Sequence, residues 1–186
     1  MKKILDQGIK TDRLYLRKFS LDDALDMFEF TRDAANWEYI ARDAHKDISQ
    51  AEDFIKRKIE EYDNPNDITW GIELMHEATN HLPKMIGTMR VYDIDFVAGE
   101  CKISYIINAA FSGRGYVTES IQAIIAAAFN ILELEKVYAD IANGNYRSEK
   151  AAMRCGMTKL LDYVEVKEIK GQSVNMYRYF IEMGSL

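Results

Sequence analysis

The sequence predicts a mixed α/β or α+β fold in which helices pack on a single sheet. Two observations lead to this prediction. Strand-like and helix-like segments alternate in the order β-α-α-β-β-β-α-β-α-β-β, and a β-loop-α-β unit occupies the middle of the chain. No internal repeat, low-complexity tract or proline-rich linker divides the 186 residues, a length that suits one domain. We therefore expect one domain over residues 1–186.

The first third of the chain carries one strand signal and two helix signals. The alternating run RLYLRKF predicts the first strand. Ser20 is expected to cap a helix, because aspartates follow it where the helix dipole favours negative charge. The apolar residues of that helix have the spacing of a buried face: Leu21, Ala24, Leu25 and Phe28. A capping box formed by Ser49 and Glu52 predicts a second helix, which ends near Asp63.

The hydrophobic pattern then changes from a helical to a strand period. Ile68–Leu74 and Lys84–Asp93 are expected to pair antiparallel across a polar turn at His76–Pro83. Glu100–Ile107 is expected to form the next strand. The remaining predicted elements are, in order, helix Thr118–Leu132, strand Lys136–Ile141, helix Ser148–Cys155 and a hairpin of Lys159–Lys167 and Val174–Ile181 around Lys170–Gly171.

Composition and charge exclude several classes of function. The net charge of −6, from 24 Lys and Arg against 30 Asp and Glu, argues against a broad nucleic-acid or anionic-membrane surface. The most apolar stretch, Ile121–Leu134, is shorter than the roughly 20 residues that a membrane-spanning helix needs. Cys101 and Cys155 lack a CxxC spacing, and the histidines lack metal-ligand spacing, so we expect buried reduced thiols and no metal. The N-terminus does not resemble a secretory signal, which favours a cytoplasmic location.

The segment SGRGYVTE, between a strand and a helix, is a candidate anion-binding loop. Gly113 and Gly115 allow a sharp turn, and the N–H groups of the loop and of the first helical turn can bind a pyrophosphate. A nucleoside-triphosphate loop is rejected because Tyr116–Val117 replace its Lys-Ser/Thr pair. A dinucleotide fingerprint is disfavoured because Thr118 replaces its third glycine. A coenzyme A pyrophosphate site and a plain turn remain open.

A second set of residues lies further along the chain. Asn145 and Ser148 are followed by Arg154, Gly156 and Met157. Together with the glycine loop, these residues fall at the offsets of the patterns (Q/R)xxGxG/A and NxxSxxxxxKxGF, so that the sequence resembles the GNAT superfamily of N-acetyltransferases. It departs from the patterns at Ala110 in the Q/R slot, with Arg154 for Lys and with Met157 for Phe. The stretches GRGYVTES and TDRLYLRKFSLDDA are most similar to WGKGYATEA and TERLxLRPxxxxDA of its ribosomal-protein N-terminal acetyltransferase (RimJ/RimL-type) branch. The resemblance covers nearly the whole chain.

The resemblance implies a mostly antiparallel sheet with helices on both faces and acetyl-CoA as cosubstrate. It also implies a splayed strand whose backbone binds the pantetheine arm of the coenzyme. The coenzyme-binding residues expected from the loop and the resemblance are Tyr105, Ile106, Ile107, Asn108, Gly113, Arg114, Gly115, Tyr116, Val117, Thr118, Asn145, Ser148 and Arg154.

The reaction implied is direct transfer of an acetyl group from acetyl-CoA to a primary amine, of a protein N-terminus or a small molecule, in a ternary complex. The amine must lose a proton, an oxyanion must be stabilised and a thiolate protonated. Ser148 is expected to donate a hydrogen bond or a proton to the thiolate, because Ala152 occupies the position of a tyrosine that many members of the family use for this purpose. Asn145 is expected to bind the pantetheine amides or a water. Glu100 and Tyr105 with a water chain are the candidates for the base.

Several alternatives stay open at this point. Ser148 can be only a helix cap, and Asn145 only a turn residue. A non-catalytic acyl-CoA-binding module of the same fold is the alternative to an enzyme. Residues 144–159 carry a local charge of +3, which suits a polyanionic coenzyme, and residues 20–38 carry −5. The acidic segment suggests a cationic acceptor or, alternatively, a solvated helix face. Analogy with the family suggests a homodimer.

Overall fold

A computed structural model describes residues 7–75 and 83–185. The strands in this part of the chain are β1 Ile9–Lys10, β2 Leu14–Arg17, β3 Asp67–Leu74, β4 Lys84–Asp95, β5 Glu100–Ile107, β6 Lys136–Ala142, β7 Thr158–Ile169 and β8 Gln172–Glu182. They form one sheet in the order β1-β2-β3-β4-β5-β6-β8-β7. β5 and β6 run parallel, and the other neighbouring pairs are antiparallel. The predicted mixed, mostly antiparallel sheet is confirmed.

Helices cover both faces of this sheet, as the resemblance implied. They are α1 Ala24–Thr31, α2 Ile48–Glu60, α3 Tyr116–Asn130 and α4 Tyr146–Arg154. Successive side chains of a strand point to opposite faces, and the neighbours Met85 and Ile86 of β4 accordingly belong to different cores. Ile86 lies in the large core with Ile121 of α3. Met85 lies in a second core with Met27 of α1 and Ile55 of α2.

The predicted strands agree closely with the structure. β5 has the predicted bounds, β3 and β4 pair antiparallel, and the last two strands turn at Lys170 and Gly171. α3 and α4 each begin two residues before the predicted start. The sequence did not indicate β1, which has only two residues and so carries no periodic pattern. The predicted turn at His76–Pro83 lies, apart from Pro83, outside the described residues.

α1 is present, but its buried face differs from the predicted one. Ser20 is an N-cap as predicted, and residues 21–23 form a 3₁₀ turn ahead of α1. Asp23 is buried because its carboxylate accepts two hydrogen bonds from Arg17. This turn changes the register of the helix, so that Leu21 and Leu25 are exposed and their predicted burial is wrong. The residues that α1 buries are Ala24, Met27, Phe30 and Thr31.

The capping box predicted for α2 is also wrong. Asp47 has an extended backbone and occupies the N-cap, so α2 begins at Ile48 and Ser49 lies inside its first turn. The Ser49 hydroxyl donates a hydrogen bond to the Asp47 carboxylate rather than accepting one from the helix. The predicted end of the helix is confirmed, since a 3₁₀ turn over Glu61–Asp63 follows α2.

Basic residues of the sheet compensate part of the acidic segment at residues 20–38. Arg17 of β2 pairs with Asp23 at 2.7 Å. Lys84 of β4 pairs with Asp26 at 2.8 Å and with Glu29 at 2.7 Å. Arg17 also pairs with Glu73 of β3 at 2.6 Å. Adding the two cations and this carboxylate to the segment changes its local charge from −5 to −4. The segment taken alone is therefore weaker support for a cationic acceptor than its sequence suggested.

Replacing Lys84 by methionine is expected to lower Tm by about 2–4 °C at neutral pH, because α1 loses its ion pairs to β4. The hydrogen bond from Lys84 lowers the pKa of Glu29 from its ordinary value of 4.5. The stabilisation by Glu29 is therefore complete above pH 4.5 and is lost as the pH falls through the lowered pKa. Melting curves recorded from neutral pH downward should show the difference between the two proteins shrinking below pH 4.5.

Lys136→Met is the matched control for this prediction. It removes an ion pair with Glu182 at 2.9 Å in which both side chains are largely exposed. A single exposed pair contributes little, whereas Lys84 pairs with two carboxylates of α1, so the Tm of Lys136→Met should change by about 1 °C or less. A difference between wild type and Lys84→Met that persists unchanged at acidic pH would contradict the assignment to ion pairing.

Cys101 and Cys155 are buried and free, as predicted. Burial raises the pKa of Cys101 to about 12 and that of Cys155 to about 11, so both thiols stay protonated at neutral pH. Over residues 7–75 and 83–185, no group of three His, Cys, Asp or Glu side chains is placed to hold a metal ion. No helix in the same ranges combines the length and apolar character needed to cross a membrane.

Candidate functional site

A gap opens between the two parallel strands of the sheet. β5 and β6 are in register at three positions, the last of which pairs Lys102 with Tyr138. Beyond that point β5 continues against β4 as far as Ile107, and β6 continues against β8 as far as Ala142. The strands diverge, so that residues 103–107 have no partner strand on their β6 side among the described residues.

The backbone groups that face this gap can be identified from the other edge of β5. The Asn108 N–H donates to the Ile86 carbonyl of β4 at 2.7 Å. The Ile106 carbonyl also points toward β4, because a Cβ built on Gly87 would lie 2.3 Å from its oxygen. Backbone groups of successive strand residues point to alternate edges. The N–H and C=O groups of Tyr105 and Ile107 therefore face the gap.

Tyr105 connects β5 with the first turn of α4. Its hydroxyl donates a hydrogen bond to the Ser148 carbonyl oxygen at 3.3 Å. This contact brings the start of α4 to the diverging part of β5. Burial raises the pKa of Tyr105 to about 12, so the phenol stays protonated at neutral pH. A protonated phenol cannot accept a proton from an amine, which argues against Tyr105 as the base.

Asn145 and Ser148 have adjacent but different positions in α4. The Asn145 side-chain oxygen accepts a hydrogen bond from the Ser148 N–H at 3.2 Å, which makes Asn145 the N-cap. The alternative that Ser148 is the cap is wrong, because Ser148 lies within the first turn. No described residue forms a hydrogen bond with the Ser148 hydroxyl. This half-buried hydroxyl is therefore available to a ligand.

The glycine loop, residues 112–118, begins shortly after β5 ends. Gly113 and Gly115 have φ values of +77° and +83°, in the left-handed region that favours glycine. Gly115 is the N-cap of α3 and accepts the hydrogen bond of the Glu119 N–H. The N–H groups of residues 116–118 precede this bond and have no acceptor within the helix. A Cβ on Gly113 would meet no atom within 4 Å, so the loop has open space beside it.

A basic stripe on α4 extends toward this loop. It consists of Arg147, Lys150 and Arg154, whose spacing places them on one side of the helix. All three are exposed, and none makes an ion pair with residues 7–75 or 83–185. The Cys155 thiol, next to Arg154, contacts the Thr118 carbonyl oxygen at 3.5 Å. The C-terminal end of α4, which carries Arg154, therefore lies beside the first turn of α3.

Three residues predicted for the site have other positions or partners. The backbone of Ile106 bonds to β4 rather than facing the gap. Asn108 is buried, and its side chain donates to Glu29 and accepts from the Ala110 N–H. Glu100 lies at the paired start of β5 and accepts a hydrogen bond from Tyr138, about 16 Å along the strand from Tyr105. The structure does not bring Glu100 to the gap.

The structure adds Glu29 to the residues near the site. Its carboxylate accepts a hydrogen bond from the Asn108 side chain at 2.9 Å, immediately beyond the end of β5. The hydrogen bond from Lys84 lowers the pKa of Glu29, so this carboxylate is ionised at neutral pH. No sequence motif joins α1 to β5, and only the acidic character of residues 20–38 pointed in this direction.

The gap, the glycine loop and the basic stripe are continuous. β5 leads from the gap into the loop, and α4 contacts β5 through Ser148 and the loop through Cys155. Strand N–H and C=O groups suit an uncharged chain with amides, and a helix N-terminus beside arginines suits phosphates. The arrangement fits an elongated ligand with an amide-containing arm and a polyanionic end.

Comparison with known proteins agrees with this geometry. Residues 13–158 match the model of the acetyltransferase (GNAT) domain family. An uncharacterized N-acetyltransferase, p20 of Bacillus licheniformis, is 26% identical over 176 residues, which cover 93% of this chain and 94% of p20. A provisionally named ribosomal N-acetyltransferase, YdaF of Bacillus subtilis (strain 168), is 32% identical over 72 residues, 39% of each chain.

A solved structure also has a similar fold. The spermidine N-acetyltransferase of Vibrio cholerae, in complex with CoA and spermine, superposes with a TM-score of 0.76 at 19% identity. The superposition covers 94% of this chain and 98% of that protein. The likeness confirms the fold class predicted from the sequence.

Proposed function

Because the chain belongs to the GNAT family of acetyl-CoA-dependent N-acetyltransferases, we propose that it transfers the acetyl group directly to a primary amine in a ternary complex formed at the gap. The observation that carries this proposal is the continuity of the β5–β6 gap with the glycine loop. It supports a donor site in which the reactive end lies at the gap and the phosphates lie at α3.

The donor site is assigned to residues on three elements. Acetyl-CoA, when bound, supplies the thioester that carries the acetyl group. The N–H groups of residues 116–118 hold the pyrophosphate, and Arg114 and Arg154 balance its charge. The backbone groups of Tyr105 and Ile107 bind the amides of the pantetheine arm, as a neighbouring strand would. The exposed positions of Arg114 and Arg154 and the absence of any described ion pair for either support this role.

The chemistry is assigned to groups around the gap. A gap-facing N–H of β5 donates to the acetyl oxygen and stabilises the negative charge that develops there. The Ser148 hydroxyl, which has no described partner, donates its proton to the departing sulfur and is reprotonated by the water that takes the proton of the amine. Asn145 holds the first turn of α4, and with it Ser148, in place. Deprotonation of the amine is assigned to water, since the pKa of Tyr105 is raised to about 12 and that of Glu29 is lowered.

The acceptor is assigned to the class of primary amines, either a protein N-terminus or a small molecule. The name of YdaF supports the first, and the spermine bound to the Vibrio cholerae enzyme supports the second. Lys84 pairs with both Asp26 and Glu29, so these three side chains together keep one net negative charge near the end of β5, which favours an acceptor that approaches as an ammonium ion.

Thiol release from acetyl-CoA, followed across a panel of amines, tests the proposal. The panel contains short peptides with free N-termini, polyamines and amino sugars, and an N-acetylated peptide serves as the control. We expect thiol release that depends on a free primary amine. Calorimetric binding of coenzyme A without turnover on any amine would instead favour a non-catalytic acyl-CoA-binding module. Loss of both binding and turnover would overturn the proposal entirely.

A further inference from the structure

The two stretches most similar to the RimJ/RimL-type branch, TDRLYLR and GRGYVTES, are in direct contact although about a hundred residues separate them. Glu119, in the first turn of α3, accepts hydrogen bonds from the Thr11 hydroxyl at 2.5 Å and from the Arg13 N–H at 3.0 Å. The Arg13 guanidinium pairs with the same carboxylate, with Nε at 2.7 Å and Nη2 at 2.6 Å. The start of β2 is thereby tied to the start of α3.

The same guanidinium also contacts the glycine loop. Its Nη1 donates to the Arg114 carbonyl oxygen at 3.0 Å. Its Cζ lies 4.6 Å from the centroid of the Tyr116 ring, within the range of a cation–π interaction. A Cβ built on Gly115 would lie 3.4 Å from its Nη2. Arg13 therefore contacts the chain on both sides of the left-handed glycine that starts α3.

We propose that Arg13 is a positioning residue, which holds residues 114–116 so that the N–H groups at the start of α3 converge on the coenzyme pyrophosphate. This inference rests on the proposed function. Arg13 touches the loop carbonyl and ring and does not itself contact the reacting atoms. A left-handed glycine is free to adopt other conformations, so a contact on each side of it restricts the loop.

Charge supports the same role. A carboxylate in the first turn of α3 would repel a phosphate bound at that helix end. Although burial raises the pKa of Glu119, the hydrogen bonds from Thr11 and Arg13 outweigh it and lower the pKa, so Glu119 is ionised at neutral pH. The paired Arg13 neutralises this charge at the point where the coenzyme phosphates are expected.

The chain offers a closely matched control in Arg90 of β4. Arg90 forms a forked pair with Asp67 and lies 4.5 Å from the centroid of the Tyr92 ring. Its side chain is 36% exposed and its partner 19%, against 40% and 18% for Arg13 and Glu119. Arg90 and Arg13 thus make the same kinds of contact at the same exposure, but Arg90 has no contact with the glycine loop.

The test compares two acetyl donors in Arg13→Gln, Arg90→Gln and the wild type. S-Acetylpantetheine carries the thioester and the arm but lacks the pyrophosphate that the loop is proposed to bind. For Arg13→Gln we expect kcat/KM with acetyl-CoA to fall about tenfold and the Kd of coenzyme A to rise equally, since charge-assisted hydrogen bonds are lost. With S-acetylpantetheine, kcat/KM should change by less than about twofold. Arg90→Gln should change kcat/KM by the same factor with both donors.

An equal fall in kcat/KM with both donors would show a general structural effect and overturn the positioning role. The same conclusion would follow if the ratio of kcat/KM between the two donors were no different from that of Arg90→Gln. If Arg13→Gln does not fold, Arg13→Lys keeps the charge but loses the fork, and a loss confined to acetyl-CoA is again expected. Failure of the wild type to bind coenzyme A would overturn the proposed function and this inference with it.

Discussion

Gly115→Val is expected to raise the Kd for coenzyme A at least about 100-fold, equivalent to about 2.7 kcal/mol. Gly115 has φ of +83°, which a β-branched residue adopts only with strain. Valine would therefore move the loop toward negative φ and turn the N–H groups of residues 116–118 away from their common point. Its side chain would also crowd the Arg13 guanidinium, 3.4 Å from the position of Cβ. Calorimetric titration with coenzyme A measures the effect.

Gly171→Val separates this effect from strain alone. Gly171 has φ of +74° in the β7–β8 turn, and a Cβ there would meet no atom within 4 Å. Both variants therefore carry a similar backbone penalty, of about 1–2 kcal/mol. Only Gly115→Val alters the proposed phosphate site. Equal coenzyme affinity in the two variants would exclude the glycine loop as the pyrophosphate site.

The strands were predictable because most of them alternate between buried and exposed residues. The apolar residues of β3 alternate in the sequence, and Ile68, Trp70 and Ile72 lie in the large core. Most of the residues between them are buried as well, because the opposite face packs against the second core, where Gly71 lies against Met85. α1 was harder to predict because Asp23, in the turn before the helix, is buried only through its hydrogen bonds with Arg17 of β2. Such a pair cannot be read from local periodicity, and it changed which apolar residues the helix buries.

The glycine loop was predictable for a different reason. Gly113 and Gly115 adopt positive φ, which glycine does without steric cost, so the two glycines in the sequence indicated a sharp turn. The gap depends instead on where β5 and β6 stop pairing, which is a property of two strands joined through α3. Hence the sequence indicated a binding strand only through the resemblance, and it did not distinguish gap-facing Tyr105 and Ile107 from Ile106. The partners of Glu29 and Arg13 lie on distant segments and carried no local signal.

Ser148→Ala is expected to lower kcat about 100-fold while leaving the Kd for coenzyme A within about twofold, a split typical of a group that acts only in the transition state. Asn145 accepts its cap hydrogen bond from the Ser148 N–H, and Tyr105 donates to the Ser148 carbonyl. Both contacts use the backbone and survive the substitution. The hydroxyl has no described partner, so its removal leaves no buried group unsatisfied and should not lower Tm.

Ser148→Thr completes this experiment, because it keeps a hydroxyl at the same helical position. If the hydroxyl delivers a proton to the leaving thiolate, threonine should restore most of the lost kcat. If Ser148 matters only as a residue of the first turn of α4, alanine should retain full activity, since alanine is the better helix former. Full activity of Ser148→Ala would thus remove the serine from the mechanism. The thiolate would then leave with a proton from water, in the same gap where water is assigned to deprotonate the amine.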